Sequence, residues 1–210
     1  MSRSSYDDCP EVCGRLDEPG LALDMPRWID HTELDTTVDQ ARIEAVLEHL
    51  PLGPDVQILH VGVGNSRFAQ RFAPRVGWID GLTVCDPERR LADSLAIPNY
   101  RVYLLSKYSR EFLTTIRRSF DYVVDNNLAS FACCKYHFYR MLDNYLWCLR
   151  PAGRVLTDQR GMDWTVEDDP RWQLTYDDLV ALGERFPIEV STLSDTVYAI
   201  GHRRGGTGTA

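Results

Sequence analysis

Val56-Gln57-Ile58-Leu59-His60-Val61-Gly62-Val63-Gly64-Asn65-Ser66-Arg67-Phe68-Ala69 decides the fold. An apolar run breaks into a turn with two glycines and restarts as an amphipathic segment, which is the order strand, tight turn, helix. Gly62 and Gly64 let the backbone turn sharply and come close to a ligand. Asn65 and Ser66 can cap the helix, whose free N–H groups point at whatever fills the turn. A nucleotide-like ligand is the natural occupant. A dinucleotide fingerprint needs a third glycine where Arg67 stands, so a nicotinamide-dependent oxidoreductase is disfavoured.

Working outward, Thr37 with Gln40 predicts a capping box for a helix that carries Ile43, Val46, Leu47 and Leu50 and is ended by Pro51. Trp78 to Asp86 reads as a second strand ending in a carboxylate, with a helix from Pro87 onward; Asp86 can equally serve as the N-cap of that helix. Tyr100 to Leu105 and Phe120 to Asp125 read as further strands, with a helix from Phe112 to Ser119 between them. A long helix follows, its core face formed by Phe138, Met141, Leu142, Tyr145, Leu146 and Leu149. Next come a strand after Arg150-Pro151-Ala152-Gly153, a helix capped by Thr175 and Asp178, and closing strands at Ile188 to Thr192 and Thr196 to Gly201. This alternation predicts a doubly wound α/β sheet. Asp125, Asn126 and Asn127 would then lie at the carboxyl edge of the fourth strand, where such sheets hold ligands, and His137, entering the long helix, is a candidate base.

The 210 residues suit one domain with decorations, and 44% hydrophobic against 26% charged residues is the balance of a globular chain. The expected organisation is an N-terminal arm or lid over 1–35, the main domain over 36–204 and a tail over 205–210. A net charge of −8 argues against nucleic-acid binding. No stretch is long and apolar enough for a membrane span or a signal peptide, so a cytoplasmic location is expected. Cys9 and Cys13, with Cys133, Cys134 and His137 downstream, lack the usual metal-ligand spacing, and no metal is expected.

The stretch His60-Val61-Gly62-Val63-Gly64-Asn65-Ser66 resembles the first motif of the class I S-adenosylmethionine (SAM) methyltransferases, acid-x-Gly-x-Gly-x-Gly with Asn-Ser a frequent ending. Pro151-Ala152-Gly153 before a strand resembles the segment that precedes their fifth strand. The resemblance covers roughly residues 40 to 203. It implies a mostly parallel seven-stranded sheet with helices on both faces and the last strand antiparallel. It also implies SAM as cofactor and methyl transfer to a small-molecule acceptor. Cofactor contacts are implied for His60, Gly62, Gly64, Asn65, Ser66, Asp86 and Asp125, with Asp86 on the ribose, and for Ser106, Lys107 and Tyr108 beside the adenine. The acceptor would be gripped by Asp125, Asn126 and Asn127, with His137 at the rim and Trp28, Tyr6 or Trp164 as cover. His60 stands where that family usually has an acid. It supports the alternative of a protein that binds the cofactor without methyl transfer, as a structural partner or for an unrelated rearrangement. A protein methyltransferase is a further alternative. A homodimer is left open.

Overall fold

The computed structural model describes residues 30–109, 111–132, 135–163 and 172–203. Its strands are β1 (Gln57–Val61), β2 (Trp78–Thr83), β3 (Tyr100–Leu104), β4 (Phe120–Val124), β5 (Leu149–Asp158), β6 (Ile188–Thr192) and β7 (Val197–His202). They form one sheet in the order β3-β2-β1-β4-β5-β7-β6. β1 pairs in parallel with β2 and β4, which in turn carry β3 and β5 in parallel. β7 lies antiparallel between β5 and β6. The expected α/β sheet with an antiparallel last strand is therefore the one observed.

Successive residues of the central strands feed opposite faces, as the two-residue period of a strand demands. Ile58, Val124 and Leu156 enter one apolar cluster, with Ile43 and Leu47 of α1 (Val38–Leu47), Phe68 and Phe72 of α2 (Arg67–Phe72) and Ala92 of α3 (Asp86–Ser94). Leu59, Val123 and Val155 enter the other. Their partners are Phe112 of α4 (Phe112–Thr115), Phe138, Met141 and Tyr145 of α5 (Lys135–Cys148), and Leu179 of α7 (Tyr176–Leu182). The short α6 (Gln159–Met162) follows β5 directly, with the Asp158 side chain capping its first turn.

Local signals held where tertiary packing agreed with them. Thr175 and Asp178 make both bonds of their capping box. Thr37 is the N-cap of α1 but makes no side-chain cap bond, and Gln40 turns instead to Glu44 at 3.3 Å. The helix expected from Phe112 to Ser119 stops at Thr115, because Ile116 turns extended and is fully buried in the core. β2 ends at Thr83, three residues before Asp86. Tyr6, Trp28, Cys9, Cys13, Cys133, Cys134, Trp164 and the tail lie outside the described residues. Among those described, no helix is long and apolar enough to cross a membrane.

Gly81, paired with His60 across β1 and β2, lets the glycine turn fold back onto the sheet. A Cβ there would sit 2.6 Å from a Val63 methyl and 2.9 Å from a Val102 methyl. Gly81→Ala should therefore lower stability by about 1–3 kcal/mol, the usual cost of overpacking, seen as an earlier urea midpoint at unchanged slope.

Candidate functional site

The segments that leave β1, β2, β3 and β4 at their carboxyl ends enclose a cavity of about 630 Å³, roofed by residues 31–40. Its floor is the glycine turn. Gly62 and Gly64 adopt φ of +77° and +49°, the left-handed region that costs glycine nothing. A Cβ built on Gly62 would meet no atom within 4 Å, so the space over the turn is open. The Asn65 side chain caps α2 by accepting the Arg67 amide at 3.0 Å, and its amide donates to the Leu34 carbonyl at 2.6 Å, tying the roof to the turn. Ser66, expected beside the ligand, is not in the cavity wall. It is fully buried in a left-handed conformation, and its hydroxyl lies 3.2 Å from that of Tyr100.

His60 ends β1 in the wall of the same cavity and is 2% exposed. Its ring stacks on Phe68 with centroids 4.1 Å apart, and neither ring nitrogen has a hydrogen-bond partner. A buried polar group without a partner is costly, so two free imidazole nitrogens facing a cavity mark a place where a ligand can complete them. Burial alone brings the His60 pKa down from 6.5 to about 3. The group is therefore neutral and presents one donor and one acceptor.

Asp86 is not in the cavity wall either. Pro87 starts α3 early, which places Asp86 in its first turn, and its carboxylate binds Arg89 at 2.8 Å and Arg90 at 2.6 Å. Glu88, two residues on, is the acid that lines the cavity. It is 1% exposed, accepts the Thr83 hydroxyl at 2.5 Å and the His31 amide at 3.3 Å, and burial raises its carboxyl above the usual range. The sequence carried one signal for this exchange: Asp-Pro-Glu is a helix start, which commits the first acid to the helix end and can turn the second inward.

Asp125, expected to grip the acceptor, is occupied. The Lys107 ammonium reaches both of its oxygens, at 3.1 and 2.9 Å, and the carbonyls of Asn127 and Leu128 at 2.7 and 3.1 Å. The Tyr145 hydroxyl donates to Asp125 at 2.9 Å. Burial lowers the Lys107 pKa, opposed by the charge and hydrogen bonds of Asp125, and raises Tyr145 well above 10. Asn126 and Asn127 do line the cavity, and the Asn126 amide donates to Asp39 of α1. His137 does not line it. It is 2% exposed in the first turn of α5, edge-on to Tyr136. Glu88, Asp39 and the role of Lys107 escaped sequence reasoning because each depends on a contact distant in the chain.

No protein-family model matches the sequence, and no curated protein does. Solved structures do match. The N-methyltransferase NodS from Bradyrhizobium japonicum WM9, in complex with S-adenosyl-L-homocysteine (SAH), superposes with a TM-score of 0.59 at 12% identity, covering 89% of this chain and 96% of its own. A TehB-like SAM-dependent methyltransferase from Corynebacterium glutamicum gives 0.58 at 16% identity, over 89% of this chain and 100% of its own. An rRNA methylase from Streptococcus thermophilus gives 0.50 at 10%, over 81% and 99%. The chain has the class I SAM methyltransferase fold.

Two outcomes follow from the buried groups. Asp125→Ala, which strands the Lys107 charge, should cost about 3–5 kcal/mol, whereas Lys107→Met with Asp125→Leu should cost less than either single change in urea unfolding. For His60, the folded pKa lies below the unfolded one, so the unfolded chain alone takes up a proton as pH falls below 6.5. Stability should drop by up to ~1.4 kcal/mol per pH unit between about 6.5 and 3. His60→Asn should flatten that part of the acid-unfolding curve, and the His60 ring should give no NMR titration between pH 8 and 5.

Proposed function

We propose that this protein is a SAM-dependent methyltransferase acting on a small molecule. The observation that carries the proposal is the open space over the left-handed Gly62 turn, walled by a buried histidine with two free nitrogens, on a methyltransferase fold. The residues present fit the cofactor. The turn's backbone can approach it closely, Glu88 can accept both ribose hydroxyls, and neutral His60 can hydrogen-bond the amino-acid end. Ser106, Lys107 and Tyr108 line the side where an adenine would lie.

When bound, SAM supplies a methyl group on a positively charged sulfur. The chain's own contribution is chiefly to hold an acceptor in line and exclude water. Asp125 acts at one remove. By fixing Lys107 it sets the loop from which Asn126 and Asn127 face the cavity, so it is a positioning residue. A small acceptor is favoured over RNA because the net charge is −8 and the lining carries Asp35, Asp39, Glu44 and Glu88, which repel phosphates.

Calorimetric titration with SAH should show saturable binding. Glu88→Gln should weaken it by roughly 1–3 kcal/mol, the cost of losing a charged hydrogen-bond partner, while Asp86→Ala leaves it unchanged. Absence of heat with SAH would overturn the proposal. Tight SAH binding without methyl transfer to any small-molecule pool would instead favour a protein that holds the cofactor without using its methyl group.

A further inference from the structure

We infer that the acceptor is a cationic amine recognised by Asp39, an inference that rests on the methyltransferase function proposed above. Five carboxylates line the cavity: Asp35, Asp39, Glu44, Glu88 and Asp125. Three are matched by cations: Asp35 by Arg67 at 2.6 Å, Glu44 by Arg71 at 2.8 Å and Asp125 by Lys107 at 2.9 Å. Among the described residues, no Lys or Arg forms an ion pair with Glu88 or Asp39. The two stand on different sides of the glycine turn. Glu88 is held by Thr83 at the end of β2 and Asp39 by Asn126 just after β4, with β1 between them. Two interstrand spacings of about 4.8 Å separate those strands, so the acids lie roughly 10 Å apart. With Glu88 on the ribose, Asp39 is the free negative charge at the acceptor's end.

An acid in the first turn of a helix also complements the helix dipole, and that alone would place Asp39 where it is. Two observations go further. Asp39 accepts the side-chain amide of Asn126, so the acid and amide stand together at the cavity wall. Independently, the unpartnered nitrogens of His60 open into the same cavity and indicate a polar ligand there. The backbone holds this arrangement closely: a Cβ on Gly161 of α6 would lie 2.1 Å from the Asn126 carbonyl oxygen, so the Asn126 backbone is pressed directly against that helix.

In the step this implies, the substrate ammonium gives a proton to the Asp39 carboxylate, which is partly exposed and passes it to water. The nitrogen lone pair then bonds to the methyl carbon as the carbon–sulfur bond breaks. Its electron pair remains on sulfur, leaving SAH and a methylated ammonium.

The test uses the full chain saturated with SAH and three probes of one shape and different charge: benzylamine, benzyl alcohol and benzoate. Benzylamine should bind at least about tenfold more tightly than the alcohol, benzoate more weakly than either, and added salt should shrink the difference. Asp39→Asn keeps an acceptor for Asn126 but removes the charge, so it should abolish the preference while SAH affinity stays within about twofold; Asp39→Glu should restore it. A helix-dipole role alone would change melting temperature and leave the preference in place. Normal SAH binding with no preference for the amine, with no probe bound, or with benzoate preferred through the exposed Arg160 at the rim would overturn the inference and leave the methyltransferase proposal standing. Failure to bind SAH would overturn both.

Discussion

A lysine ammonium buried between a carboxylate and two backbone carbonyls holds the ligand-binding end of this sheet together. Lys107 follows β3 at the sheet edge and Asp125 follows β4, three positions away in the strand order, so their pair spans the ends of β2 and β1. Neither charge could be buried alone, because several kcal/mol of desolvation attend each ion. The pair therefore obliges both loops to meet. Neighbouring contacts reinforce the junction: Tyr108 donates to the Ser130 carbonyl at 2.7 Å, Arg140 donates to the Tyr108 carbonyl, and Tyr145 braces Asp125 from below. The glycine turn and α3 supply the opposite wall, and the cavity is the gap between them.

Much of the architecture was legible because it rests on local chemistry. Gly62 and Gly64 occupy the left-handed conformations that a tight strand-to-helix turn requires, and the alternation of Ile58 and Leu59 sends one to each core cluster. Element ends were less legible. Ile116 leaves its helix for the core, and Pro87 starts a helix where a continuing strand would have carried Asp86 to the ligand.

The site was read at the level of loops more than of side chains. The turn after β1 and the loop after β4 both line the cavity, yet Ser66 turns to Tyr100, Asp86 to two arginines, Asp125 to Lys107, and His137 packs into α5. In each case the competing partner lies in another part of the fold or on the next turn of the helix, and sequence order does not rank such partners. His60 is the converse. Its place at the end of β1 was visible, but its neutrality follows from burial beneath the turn and against Phe68, which only the packed structure displays.

The placement of β7 bears on how the chain is made. It follows β6 in sequence but lies between β5 and β6, and β6 has no other strand partner. As the polypeptide emerges during synthesis, strands β1 to β5 can pair as soon as each appears, whereas β6 must wait for a segment not yet translated. Until Val197 to His202 arrives, β5 presents an open hydrogen-bonding edge, and Leu156 and Val155 lack the neighbours Ala199 and Ile200 that flank them in the finished sheet. An unpaired apolar edge of that kind invites association with other nascent chains. The interval between β5 and β7, which contains α6, α7 and β6, is thus the period in which this protein is most exposed to misassembly.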